Sequence, residues 1–333
     1  MKKKILSVIL TCVLAFGMLT ACGGSSNSAS GNDSDDVSSI TLIFSQRDEW
    51  LSTLETGARE AADELGIKLN VQDAQLDSSK QIQFIETARN DGQKVVIVNM
   101  VDPEAAAQYI EAAGDMKVVF VNRFPTDESV LNENVVYVGS NENYSGKFQG
   151  EWLADYFNAK GQTDIKYILL NGILGQTSTT LRTASVLQAL KDNGINATEA
   201  TAPLAADYDR ATAQDKIAPL VTTIDYDAII SNNDSMALGA IEALKAKGID
   251  PSTIPIVGID ATADGRQAVK DGELSMTVFQ NAYGQGFGAL MAAGNLLKGN
   301  SIAEGTEYET DDSGFILWVP FEPVTIENVK DFD

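Results

Sequence analysis

The chain has 333 residues, 47 of them acidic and 24 basic, for a net charge of −23, and so acidic a surface repels nucleic acid and anionic lipid headgroups. Histidine is absent and the only cysteines are Cys12 and Cys22, which removes the commonest general base, the commonest transition-metal ligand and every Ser/His or Cys/His catalytic pair. A metal site or a cofactor is therefore not expected.

The chain opens on Met1-Lys2-Lys3-Lys4, continues through an apolar run from Ile5 to Leu19, and ends that run with Leu19-Thr20-Ala21-Cys22. A basic start, an apolar stretch too short to span a bilayer and small residues after it form the pattern of an export signal. The last four residues resemble the lipobox of bacterial lipoproteins. That resemblance implies cleavage after Ala21, so that 1–21 is a signal peptide, and acylation of Cys22, which would tether the body to the outer face of the cell membrane. No thiol would then remain for a disulfide, a metal or a nucleophile. Gly23 to Ser39 is Gly, Ser, Asn and Asp with little to bury, so 22–39 is predicted to be a lipidated cysteine and flexible linker with a reach of roughly 20 to 25 Å.

From Ile40 onward, short β-rich runs alternate with helical periodicities. Strands are predicted at Ile40 to Ser45, Lys68 to Gln72, Val95 to Asn99, Val118 to Val121 and Val135 to Val138, several almost continuously apolar, as strands buried on both faces are. Between them, helices from Trp50 to Leu65, Ser79 to Asp91 and Pro103 to Ala113 stop at Gly66, Gly92 and Gly114, the last beginning with proline in its first turn. Nothing between Asn141 and Lys166 reads as a long linker. The rhythm resumes with strands at Tyr167 to Leu170, Ala228 to Ser231, Ile256 to Ile259 and Met276 to Phe279. Helices are predicted near Thr179 to Asp192, Asp209 to Thr222, Asp234 to Lys247, Ala263 to Lys270 and Tyr283 to Leu297. Alternation of this kind implies βαβ units, and the length after the linker suffices for two α/β domains, each a doubly wound parallel sheet.

The residues that follow the strands carry the functional signal. Gln46-Arg47-Asp48-Glu49-Trp50, Asn122-Arg123, Asn232-Asn233-Asp234, Asp260 and Gln280-Asn281 all stand at predicted carboxyl ends, where open parallel sheets border their ligand crevice. Asp, Asn, Gln and Arg offer planar paired donors or acceptors, and Trp50 adds a flat apolar face. A sugar ring needs both kinds of surface. Each residue also has a plainer role open to it: an Asn or Asp after a strand serves as a helix N-cap or turn residue, Arg182 as a solvated helix residue, Trp50 and Tyr208 as core or hinge packing. Asp234 is read as the cap of its helix and left out of the site.

At these residues the chain resembles the sugar-binding proteins of bacterial ABC transporters, of the periplasmic binding protein type I class, most like the galactose/glucose-binding branch and next the ribose-binding branch. Val118-Val119-Phe120-Val121-Asn122-Arg123-Phe124-Pro125, Ser231-Asn232-Asn233-Asp234-Ser235-Met236-Ala237-Leu238-Gly239 and Val257-Gly258-Ile259-Asp260 carry the likeness. It implies that Asp48 and Asn122, with Arg123 beside them, bond a monosaccharide from one domain, that Arg182, Asn233 and Asp260 bond it from the other, and that Trp50 and Tyr208 stack on its two faces. Gln280 would bond it from a crossover. The implied architecture is two lobes joined by a three-crossover hinge, 40–141 with 281–316 and 142–280 with 317–333, the terminal strand near Leu317 to Pro320 joining the second lobe.

Two departures stand out. Gln176 and Ser178 occupy positions where the galactose/glucose branch has a histidine and an aspartate, so recognition at one edge of the ring is altered and the sugar's identity is open. The segment Asn158 to Asp164 is too short and carries too few acids for that branch's calcium loop. The expected partners are the monosaccharide and an ABC permease, with the chain a monomer. The alternatives are a receptor of the same fold for a pentose, furanose, nucleoside or signalling sugar that feeds a permease or a sensor, and, less favoured, a glycosidase using Asp48 and Asp260.

Overall fold

A computed structural model describes residues 39–332; the expected signal peptide, Cys22 and nearly all of the linker lie outside the described residues. The first lobe opens with β1 (Ser39–Phe44), α1 (Glu49–Leu65), β2 (Lys68–Asp73), α2 (Ser78–Asn90), β3 (Val95–Val98), α3 (Ala106–Ala113), β4 (Lys117–Val121) and β5 (Val135–Gly139). The chain then crosses into the second lobe, with α4 (Glu142–Asn158), β6 (Asp164–Asn171), α5 (Thr177–Asp192), β7 (Asn196–Glu199), β8 (Leu204–Ala205) and α6 (Arg210–Ile217). That lobe continues through β9 (Ala228–Ser231), α7 (Asp234–Ala246), β10 (Ile256–Val257), α8 (Ala263–Lys270) and β11 (Thr277–Gln280). After α9 (Ala282–Lys298), β12 (Glu309–Thr310) and β13 (Ile316–Trp318), the chain ends near β14 (Phe321–Val324).

Seven strands form the first sheet in the order β12-β13-β5-β4-β3-β1-β2, parallel except for the short antiparallel edge β12. β3, β4 and β5 are buried almost throughout because helices cover both faces. α1 and α9 pack on one face, around Leu42, Leu54, Val119 and Leu290, and α2 and α3 on the other, around Ile85, Tyr109 and Phe120. The second sheet, β10-β9-β6-β7 with β8 beside β6, is sandwiched the same way. One of its cores gathers residues of α6, α7 and α8, the other those of α4 and α5. β11 and β14 pair antiparallel as a two-stranded ribbon.

Several elements differ from the sequence expectation. The terminal strand was expected in the second lobe, but Ile316–Trp318 pairs parallel with β5 through Ile316↔Tyr137 and Trp318↔Gly139, so the first lobe keeps it and the third crossing comes near Pro320, ahead of β14. The register explains this: Leu317 is an apolar residue fully buried in the first core. The helix α4 fills a segment in which no element was predicted, and β7 and β8 are likewise additional strands. The strand predicted to run to Ile259 stops at Val257, since Gly258 and Asp260 bond sideways to Met276 and Val278.

Candidate functional site

The carboxyl ends of both sheets face one another, and a cavity of about 90 Å³ lies between them. Asp48, Trp50, Asn122, Arg123, Gln176, Ser178, Arg182, Tyr208, Asn233, Asp260 and Gln280 all line it.

From the first lobe, Asp48 caps α1, its Oδ1 accepting from the Leu51 amide at 2.7 Å while Oδ2 accepts from Gln46. The plainer N-cap role and the rim position thus coincide, because a cap residue sits at the mouth of the strand–helix turn. Trp50 donates from its indole N–H to the Gln280 carbonyl across the hinge. Asn122 is held in the left-handed region at φ 68°; such a conformation costs a non-glycine residue free energy and concentrates at functional sites. Its side chain accepts from Asn99, a fully buried amide that also accepts from the Ser45 hydroxyl. Asn99 therefore fixes the ends of β1 and β4 relative to each other. Arg123 donates to the carbonyls of Met100 and Val101.

The second lobe supplies a denser network, centred on Arg182, which is only 4 % exposed. Its Nε and Nη2 donate to the two carboxylate oxygens of Glu142 at 2.7 and 2.8 Å, Nη2 donates also to Gln280 at 3.2 Å, and Nη1 donates to the Asn232 carbonyl at 2.7 Å. Four of the five guanidinium N–H donors are thus engaged by protein. The fifth faces the Asp260 carboxylate, 3.8 Å away. Burial alone would lower the guanidinium, but Glu142 beside it more than offsets that and holds it above its ordinary value. Glu142 is a site residue that the sequence did not announce: an acid in the first turn of a helix reads as a favourable partner of the helix dipole and nothing more.

Asp260 is 8 % exposed with φ 115°, and Ala261 after it has φ 48°. Its carboxyl is pushed well above the usual carboxylate range, chiefly by burial, against the pull of Arg182 and with the repulsion of Asp234, Asp48 and Glu142. Beneath it lies Asp234, fully buried, which accepts from the Thr277 hydroxyl at 2.6 Å and from the Thr262 amide at 2.9 Å. Thr277 in turn accepts from the Ala261 amide. Gly258 and Gly265 leave the space this carboxylate fills, since a methyl at either would collide with its oxygens. Asp234 is therefore not the cap of α7. That role belongs to Asn233, whose Oδ1 accepts from the Met236 amide, while Asp234 braces the strained turn that presents Asp260.

Tyr208, at φ 63°, packs its ring over Gly172, where any side chain would intrude, and its hydroxyl meets those of Ser178 and Thr179 at 2.9 and 2.8 Å. Gln176 is the buried residue ahead of α5, without a side-chain capping bond. The site as a whole combines carboxylates, amides and hydroxyls with two flat aromatic residues in a small cavity, a donor set matched to an uncharged polyhydroxylated ring.

Residues 40–301 match the model of the "Periplasmic binding protein domain" family. The chain is 33% identical over 318 residues, 92% of its length and 94% of the relative's, to the D-galactose/methyl-galactoside binding periplasmic protein of Haemophilus influenzae. It is 33% identical over 289 residues, 86% of its length and 89% of the relative's, to a putative rhizopine-binding protein of Rhizobium meliloti. An ABC transporter solute binding protein from Bacillus halodurans with bound myo-inositol superposes with a TM-score of 0.75 at 29% identity, covering 89% of this chain and 97% of that one. Two parallel-sheet lobes joined by three crossings are the periplasmic binding protein type I fold, and the chain belongs to the periplasmic binding protein family.

Proposed function

We propose that this protein is the solute-binding component of an ABC importer, that it captures one neutral monosaccharide between its lobes, and that it works outside the cell membrane, anchored through lipid on Cys22. A galactose- or glucose-like hexose is the favoured ligand, an ABC permease the receiving partner and the monomer the working unit. The observation that carries this reading is the meeting of eleven polar and aromatic side chains from both lobes in one cavity. Asp48 and Asp260 serve as hydroxyl acceptors, not as a hydrolytic pair, and the protein binds without catalysing. Asp260, Asn233 and Gln176 offer the hydroxyl partners, while Arg182, with four of its donors committed, shapes the site and spares one N–H for the ligand.

A thermal-shift screen of monosaccharides tests the reading, because a ligand at about 100 times its dissociation constant adds about 2.7 kcal/mol of stability. Asp260→Ala should then weaken binding by about 1 kcal/mol or more, the scale of a single hydrogen bond; unchanged affinity in calorimetry would remove Asp260 from the site. Lipid attachment is tested separately by Cys22→Ser, which should abolish incorporation of labelled fatty acid. A cyclitol is the second reading, favoured by the bound myo-inositol of the Bacillus halodurans protein, and the same screen distinguishes it.

A further inference from the structure

The inner cavity is not closed on every side. Asn122, Arg123, Glu142, Gln176 and Ser178 line both it and a second cavity of about 540 Å³, so the two spaces adjoin across these side chains. The outer space lies between the loop after β4, the first turns of α5 and the end of β13. Phe124 and Trp318 both line it, with rings 6.2 Å apart and 13° from parallel. Tyr137 braces the pair edge-on, at 4.7 Å from Phe124 and 6.0 Å from Trp318. Asn141, Asn143 and Thr180 add amide and hydroxyl groups to the same walls.

This outer compartment repeats the chemistry of the inner one. Its flat apolar rings suit the C–H face of a saccharide, and its amides and hydroxyls can donate to and accept from the hydroxyls at the edge. Half-buried aromatic surface facing water is unfavourable, and a covering ring would remove that cost. We propose that the outer compartment is a second saccharide subsite, so that the preferred ligand is a disaccharide with one ring in the inner cavity and the other against Trp318. The glycosidic oxygen would lie beside Asn122 and Gln176, which border both spaces. This rests on the sugar-binding reading above and extends its ligand from one ring to two.

Calorimetry on the full chain tests it with matched pairs: glucose against cellobiose, galactose against lactose and melibiose, myo-inositol against galactinol. At least one disaccharide should bind about tenfold or more tightly than its own single ring, equivalent to about 1.4 kcal/mol. Trp318→Ala should abolish that difference while leaving the single ring's affinity intact. Because Trp318 belongs to an aromatic cluster, Thr180→Trp provides a second variant. Thr180 is exposed, and a bulky ring there would fill the outer space without disturbing either core, again removing only the disaccharide's advantage. Single rings that bind as tightly as every glycoside tested, or variants that weaken both members of a pair equally, overturn the second subsite and leave monosaccharide capture standing. If none of the sugars binds, both readings fall.

Discussion

Glu142 and Arg182 show how much of this site is set by one buried pair. Each ion is expensive to desolvate, and their bidentate contact at 2.7 and 2.8 Å recovers that cost only while both are present. Glu142→Ala should therefore destabilise the protein by about 3 to 5 kcal/mol in urea denaturation, since it strands a buried guanidinium. The charge-free double replacement Glu142→Leu with Arg182→Met should cost less than that single change. A double variant as unstable as Glu142→Ala would show that packing, and not charge, holds the region. Asp234 gives a pH signature of its own. Burial pushes its carboxyl up to about 7, opposed by Thr277, Thr262 and Arg266 and aided by Glu49. The folded state thus keeps a proton that the unfolded chain has released at its ordinary value near 4. The stabilising contribution is complete below pH 4, shrinks by up to about 1.4 kcal/mol per unit as pH rises, and is spent above pH 7. Asp260 adds a slope of the same sign. Asp234→Asn should accordingly flatten the fall in stability between about pH 4 and 7 without removing it, as measured by denaturant midpoints across that range. An unchanged slope would mean that Asp234 is ionised in the fold.

At the scale of elements, the contact between α4 and α5 positions the Arg182 backbone. Gly146 lies where a methyl would strike the Arg182 carbonyl and the Ser185 hydroxyl. Alanine favours a helix over glycine by about 1 kcal/mol, so propensity alone makes Gly146→Ala stabilising. The collision is with backbone, which cannot rotate away, and overpacking of this kind costs about 1 to 3 kcal/mol. Net destabilisation is expected, together with weaker ligand binding as α5 is displaced; a variant that binds normally and melts higher would show that the helices can separate freely. The same glycine explains why α4 was illegible in the sequence. Gly146 and Gly150 interrupt a segment whose polar and apolar residues mark no clean face, because what its face needs is closeness to α5 and not bulk. The lobe of β13, which the resemblance implied to be the second, is not marked in its residues: Ile316–Trp318 ahead of Val319 and Pro320 read as a strand but not as a member of one parallel sheet or the other. Part of the rim, by contrast, is legible in the residues: Asp48, Trp50, Asn122, Arg123, Asn233, Asp260 and Gln280 follow strands, and strand ends fix where a ligand goes, whereas Gln176, Ser178, Arg182 and Tyr208 are pointed to only by the family resemblance. Glu142 lies outside that rule because it begins a helix that follows a crossing, and Asp234 reads as a cap although its neighbour Asn233 does the capping.

Over the whole molecule, the polar groups are divided so that neither lobe is complete. Asp48, Trp50, Asn122 and Arg123 come from one, Gln176, Ser178, Arg182, Tyr208, Asn233 and Asp260 from the other, and Gln280 stands at a crossing, tied to Trp50 on one side and Arg182 on the other. A ligand that contacts both sets favours the closed arrangement by its differential affinity for it, and by no more than that. The net charge of −23 bears on this only through its distance from the ligand. Most of those acids are on the surface, where salt screens them within about 8 to 10 Å, whereas the Glu142–Arg182 pair is buried and little affected. If the ligand is neutral, its dissociation constant should change by less than about twofold between roughly 0.02 and 0.5 M salt, because no long-range attraction is there to screen. Calorimetric titrations across that range make the comparison directly. A cationic ligand would be drawn in by the acidic surface and lose affinity steeply as salt rises, and an anionic one would gain; either trend would replace the neutral saccharide by a charged solute in the same cleft.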